Sequence, residues 1–216
     1  MLNFFILILI YTCIYAFMSL GQNLITGYTG MLSLCAAGFF AVGSYTTAIL
    51  TTKFAWSFWA TLPVAAILAA LMGVLIGLPT LRLKGDYLAI ATLGFAEIVR
   101  NIINNWDALT NGPMGIQRIP MITIFGLKIS PYQKYGFLLM EIILLAVCWF
   151  LFERLASSRM GRALEAIRED EIAASSMGIN VTKYKVVSFA LGAAVTGIAG
   201  CLQAEYTLSV SPGSFV

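Results

Sequence analysis

No aspartate, glutamate, lysine or arginine occurs in the first 52 residues; Lys53 is the earliest charge in the chain. A charged side chain at the centre of a bilayer costs about 2.5–3.5 kcal/mol on insertion scales, so a long stretch without any is what embedding in hydrocarbon demands. Residues 2–20 form the first apolar run, and at about 1.5 Å per helical residue such a run crosses a hydrocarbon core of roughly 30 Å. Its start, MLNFFILILIYTC, has neither a basic leader nor a small-residue cleavage site, so a retained span is expected rather than a signal peptide. The whole chain agrees: 60% hydrophobic residues, 11% charged and a mean hydropathy of +0.89 put it in the polytopic membrane class and exclude an ordinary soluble domain.

Further apolar segments follow at about 36–52, 56–78, 87–103, 135–152 and 186–206. The expected fold is therefore all-α, a single transmembrane domain over residues 1–216 with about six transmembrane helices. It reads as part of a longer polypeptide, because SPGSFV follows directly on a span. Between the first two spans Gly21, Gly27, Gly30, Gly38 and Gly43 punctuate an uncharged, partly polar sequence. Glycine at that density either lets helices approach closely or lets one unwind where it lines an aqueous cavity. The small residues Gly192, Ala193, Gly197 and Gly200 mark the last span as a close-packing helix. Glu97 and Arg100 lie three apart on the fourth span, placed either to pair with each other or to line a pathway.

The segment 153–185 is different in kind. It carries six Lys and Arg in 33 residues, against three in the 34 residues of 101–134, so the former is expected on the cytoplasmic side and the latter outside. The N-terminus then lies outside too, provided residues 21–35 add no crossing. On a helical projection Ala163, Leu164, Ala166, Ile167, Ala173, Ala174 and Met177 share an arc opposite Arg162, Glu165, Arg168 and Glu169. Asp170 and Glu171 interrupt that arc, which predicts two short helices with Asp170 capping the second. Such a pair suits either a membrane-surface helix or a docking helix for a cytosolic partner.

Catalytic chemistry is absent from the pattern. There is no histidine, and Cys13, Cys35, Cys148 and Cys201 sit in apolar stretches without metal-ligand spacing. Neither a phosphate loop nor a dinucleotide fingerprint occurs, so no nucleotide, cofactor or nucleic acid is expected to bind, and the chain is not read as an enzyme.

Three stretches resemble the second permease type of branched-chain amino-acid ABC importers. GYTGMLSLCAAGFFAVGSYTTAIL is similar to the family's G-x-L-S-L-G-H-A-A-F-F-x-x-G-A-Y-T; LRLKGDYLAIATLGFAEIVRNIINNWDALTNGPMGI and GRALEAIREDEIAASSMGINVTKYK resemble its next two signatures. The resemblance implies a permease subunit in a bacterial inner membrane. Its partners would be ABC ATPase subunits, a second permease subunit, a periplasmic or lipid-anchored solute-binding protein and membrane lipid. It also implies that 153–185 is the ATPase-coupling loop, with Ala173, Ala174 and Gly178 at the family's A-A and G positions. Arg162, Arg168 and the acidic run Glu169, Asp170 and Glu171 would make rim contacts, with Ala163, Glu165 and Ala166 on the same docking helix. Cys35 and Ala36 stand where the family has Gly and His, and Asp86 where it has an apolar residue. Urea or short-chain amides are therefore a close alternative as solute, and an ion-coupled secondary transporter or channel is the alternative from another class. Ser33, Gly43, Tyr45, Thr92 and Glu97 are the expected path-lining residues, from the glycine-broken second span and the short fourth one.

Overall fold

Among the described residues six long helices carry the molecule, and their order follows the apolar runs. A computed structural model describes residues 2–80, 83, 85–124, 127–129 and 134–215. The long helices are α1 (Leu2–Gln22), α2 (Ala36–Lys53), α3 (Phe58–Thr80), α4 (Asp86–Asn105), α6 (Lys134–Ala156) and α9 (Val181–Thr207). Short helices α5 (Asp107–Thr110), α7 (Arg159–Glu169) and α8 (Glu171–Ser176) lie between them. Among the described residues four helical segments, Phe4–Gly27, Phe58–Pro79, Tyr135–Ala156 and Val181–Thr207, are long and apolar enough to cross a membrane. α2 and α4 are not among these four: α2 carries Thr46, Thr47, Thr51, Thr52 and Lys53, and α4 carries Asp86, Glu97 and Arg100.

α9 is the axis, packing along α3, α2 and α1. Its glycines explain how. A Cβ on Gly192 would meet the Gly21 carbonyl and Ile25, one on Gly197 would meet Ala69, and a Cβ on Gly200 or Gly43 would enter the backbone of the facing helix, at Phe40 and Gly197 respectively. Helices in lipid gain little from the hydrophobic effect against each other, so close backbone approach and interhelical hydrogen bonds hold them. Ser44 Oγ donates to the Gly200 carbonyl at 2.9 Å and Ser188 Oγ to the Leu24 carbonyl at 2.8 Å. The outer faces are apolar, as Ile142, Val147 and Phe150 of α6 illustrate; all three are exposed.

Four short strands occur among the described residues. β1 (Ile116–Gln117) pairs antiparallel with β4 (Ser209–Val210), and β2 (Ile122–Ile124) with β3 (Leu127–Ile129). β1 and β4 lie against α2, at the end where Lys53 Nζ donates to the carbonyls of Ala108 and Leu109 at 2.7 and 3.0 Å. Tyr11 of α1 meets Tyr206 of α9 near that same end, with ring centroids 5.4 Å apart. α1 closes at the opposite end, beside α7, where Arg168 Nη1 donates to the Gly27 carbonyl at 2.7 Å. Residues 21–35 therefore turn back without an extra crossing, which meets the condition set by the parity argument.

Candidate functional site

The glycine-rich stretch after α1 both packs and unwinds. α1 runs into a π-helical turn, Asn23–Gly27, whose signature is the Tyr28 amide donating five residues back to the Asn23 carbonyl at 3.1 Å. Such turns are uncommon and concentrate at functional sites. Helical structure then stops until Ala36, and Gly30 takes the left-handed φ of +69° that lets the chain reverse. Gln22 bridges the gap: its Nε2 donates to Thr26 Oγ1 at 2.9 Å and also to the Ser33 carbonyl, while its Oε1 is buried without a partner among the described residues. Next to these groups lies a cavity of about 620 Å³ lined by Gln22, Asn23, Thr26, Ser33, Leu34 and Ala89 among others. Its polar groups are uncharged.

Of the expected path residues, the structure brings two together here. Ser33 lines the cavity, and Thr92 stands behind it, accepting the Leu34 amide at 2.9 Å and donating to the Ala89 carbonyl at 2.9 Å. Gly43 and Tyr45 lie elsewhere, buried in the α2–α9 packing, with the Tyr45 ring 6.0 Å from Phe215. Glu97 is five residues beyond Thr92 and so about 140° round α4. Its carboxylate pairs with Arg100 Nη2 at 2.8 Å on an exposed face. A second, larger groove of about 910 Å³ between α1 and α6 is walled by side chains such as Leu7, Ile8, Tyr15 and Trp149, which suits hydrocarbon rather than a polar solute.

The charged segment forms two helices, divided where the acidic interruption predicts. Ser158 Oγ accepts the amides of Met160 and Gly161 at 3.1 and 3.4 Å and starts α7; Asp170 Oδ1 accepts those of Ile172 and Ala173 at 2.8 and 3.0 Å and starts α8. Ala163, Leu164, Ile167 and Ala174 are buried and Ala166 is half-buried. The break at Asp170 rotates the rest of the arc outward, so Ala173 is exposed and Met177 is 83% exposed, with Ile172 beside them at 73%. Ile172 and Met177 thus present an apolar patch, flanked by Glu169 and Asp170, that a single continuous projection does not show. Arg162 and Glu165 are also exposed, and Arg162 Nη1 bonds the Ser157 carbonyl at 2.9 Å. Gly178 has a φ of +84° and open space around it. Its requirement is conformational, because the amides of Gly178 and Ile179 close α8 on the carbonyls of Ser175 and Ala174.

Two ties join this pair to the bundle. Arg168 reaches the π-turn at Gly27, and Glu171 Oε2 pairs with Lys185 Nζ of α9 at 2.8 Å, with Lys185 only 7% exposed. Ile167, Arg168, Glu171 and Lys185 also share a cavity of about 230 Å³ with Gly30, Met31 and Leu32 of the unwound segment. The coupling candidate therefore touches the break that adjoins the Ser33 cavity.

Sequence reasoning passed over Glu141 and Glu205, which are 0% and 1% exposed, with neither carboxylate oxygen of either partnered among the described residues. The available signal was a lone carboxylate inside an apolar run, by default a functional candidate in a membrane. Among the described residues, no group of three or more His, Cys, Asp or Glu could hold a metal ion.

The profile of the family described as "Branched-chain amino acid transport system / permease component" matches residues 4–216. The high-affinity branched-chain amino acid transport system permease protein LivM of Escherichia coli K12 is 42% identical over 225 residues, covering 94% of this chain and 53% of that protein. The probable branched-chain amino acid transport permease protein LivM of Methanocaldococcus jannaschii is 30% identical, covering 70% of this chain and 44% of its own length. The corresponding LivH of Escherichia coli K12 is 24% identical, with 92% and 68% covered. The chain thus spans about half the length of the LivM relatives it matches. No solved structure matches it at a comparable level of significance. With a profile match across nearly all of its residues and a helical membrane fold to go with it, the chain belongs to the branched-chain amino acid transport permease family.

Proposed function

We propose that this chain works as a transmembrane permease subunit of an ATP-binding cassette importer for branched-chain amino acids, in a bacterial inner membrane. It pairs with a second permease subunit, receives solute from a binding protein at the 101–134 end and is driven by separate ATPase subunits at the 153–185 end. The observation that carries the reading is the double tie of α7 and α8: Arg168 to the π-turn carbonyl of Gly27, and Glu171 to Lys185 of α9.

A force on the exposed Ile172–Met177 patch reaches the α1–α2 break through those two ties. The patch supplies apolar area for an ATPase groove, and Arg162, Glu165, Glu169 and Asp170 supply the charged rim. Moving Arg168 shifts the Gly27 carbonyl, and with it the segment 28–35 that walls the Ser33 cavity. A gate built from unwound backbone is cheap to move, because few helical hydrogen bonds must break. Transient contact with uncharged groups such as Gln22, Thr26 and Ser33 fits a path that must also release its cargo.

Reconstitution of the chain with its partner permease, ATPases and binding protein tests this. Leucine uptake into proteoliposomes should require ATP and persist when ion gradients are collapsed. Uptake that runs on an ion gradient without the ATPases would establish the secondary-transporter alternative instead. The uncharged lining of the Ser33 cavity also favours a second reading, a neutral amide such as urea as solute, and competition between leucine and urea during uptake decides between them.

A further inference from the structure

At the end of the bundle carrying Lys53 and the short strands, a cavity of about 260 Å³ lies between the α2–α3 connection and the segment around Pro120. Its wall includes Glu205 of α9, with Thr51, Trp56, Phe58, Pro120 and Met121. Glu205 is 1% exposed, and neither carboxylate oxygen has a hydrogen-bond partner among the described residues. A carboxylate withdrawn from water without a partner is costly, and the cost falls when it takes up a proton or when a cation or donor reaches it. The nearest basic side chain along α2 is committed elsewhere, since Lys53 Nζ is held by the carbonyls of Ala108 and Leu109.

The rest of the wall narrows what that cation is. Thr51 donates its hydroxyl proton to the Thr47 carbonyl at 2.8 Å, which leaves its oxygen an acceptor. Trp56 and Phe58 add aromatic rings, whose faces attract ammonium groups. Pro120, Met121 and Ala55 add apolar surface. A single carboxylate with the hydroxyls of Thr51 and Ser57, among aromatic and aliphatic groups, lacks the six to eight oxygens that a calcium ion takes, or the near-octahedral shell that magnesium requires. The volume lies just under the roughly 300–1,000 Å³ of sites for drug-sized ligands, which suits a smaller molecule.

We propose that this cavity is a binding site for an aliphatic ammonium group, with Glu205 as the ionic partner and Trp56 and Phe58 as the flanking rings. It rests on the importer reading: there the ligand is the amine end of the incoming amino acid, and the cavity is an entry site distinct from the uncharged cavity beside Ser33. Passage from an ammonium-selective entry to an uncharged interior gives the subunit a means of favouring amino acids over neutral amides.

Saturation-transfer NMR on the assembled transporter in nanodiscs, without binding protein, tests it with 3-methylbutylammonium and 4-methylpentanoate as probes. The ammonium compound is expected to give signal and the carboxylate none. Glu205→Gln should lower ammonium binding at least tenfold, and Met121→Trp, which fills the cavity from a partly exposed position, should do the same. Should Glu205→Gln fail to assemble by size exclusion, Met121→Trp decides. Binding that survives either substitution in an assembled complex overturns the site, and so does displacement of the probe by millimolar sodium, which would mark an inorganic cation site. Loss of ATP-driven leucine uptake by the wild-type complex would sink the importer reading; wild-type uptake with unchanged ammonium binding in the variants would sink only this site.

Discussion

Gly43 shows how little room single residues have where α2 crosses α9. A Cβ there would enter the Gly197 backbone, and overpacking of this kind costs about 1–3 kcal/mol. Gly43→Ala is therefore expected to lower the melting temperature of the purified complex or prevent its assembly. Gly94, with nothing within 4 Å of a built Cβ, should accept alanine without loss, and equal melting of the two variants would refute the packing account. Gly178 differs again: its surroundings are open but its φ is +84°. An alanine there costs about 1–2 kcal/mol of left-handed strain, so Gly178→Ala should loosen the end of α8 rather than clash. The glycine positions were visible in the sequence. For those between Gly21 and Gly43, which were tight and which were bent was not, because both readings use the same residue.

At the level of elements, the break between α7 and α8 depends on one cap. Asp170→Ala removes the acceptor for two amides and should cost about 1 kcal/mol of local helix stability, whereas Asp170→Asn should retain most of it. Hydrogen exchange of the Ile172 and Ala173 amides reads the difference directly; equal protection in both variants would count against capping. The tie to α9 is a separate matter. Lys185→Met leaves Glu171 without its partner and is expected to leave ATP hydrolysis running while leucine uptake falls several-fold. Uptake and hydrolysis that fall in proportion would mean that the ion pair is not a transmission point. The division at Asp170 could be read in advance, since a carboxylate on an apolar arc followed by free amides is a helix start. The exposure of Ile172 and Met177 could not, because it depends on the rotation the break introduces.

The whole molecule has two ends, and the importer reading assigns each to a side. Met114 and Met177 are 76% and 83% exposed and lie towards opposite ends. In a cysteine-free background, Met114→Cys should react with a membrane-impermeant maleimide added outside right-side-out cells, and Met177→Cys only after permeabilisation. The reverse pattern would invert the topology. The same architecture explains why Ser33 and Thr92 come together while Gly43, Tyr45 and Glu97 stand apart. α2 and α4 each have several faces, and only the turn at 28–35 selects the face that meets the Gln22 cavity.

Sequence by itself determined the class of solvent, the approximate number and the order of the long helices, the helix pair at Asp170 and the family. All of these follow from local composition, periodicity and short motifs, which act within a few turns of one segment. Tertiary structure alone decided the rest: the π-turn at Asn23–Gly27, the reach of Arg168 across to it, the pairing of Lys185 with Glu171, and the unpartnered burial of Glu141 and Glu205. Those features join residues as far as 141 positions apart, and in a bundle held by close backbone approach the glycines of α9 fix which distant faces meet.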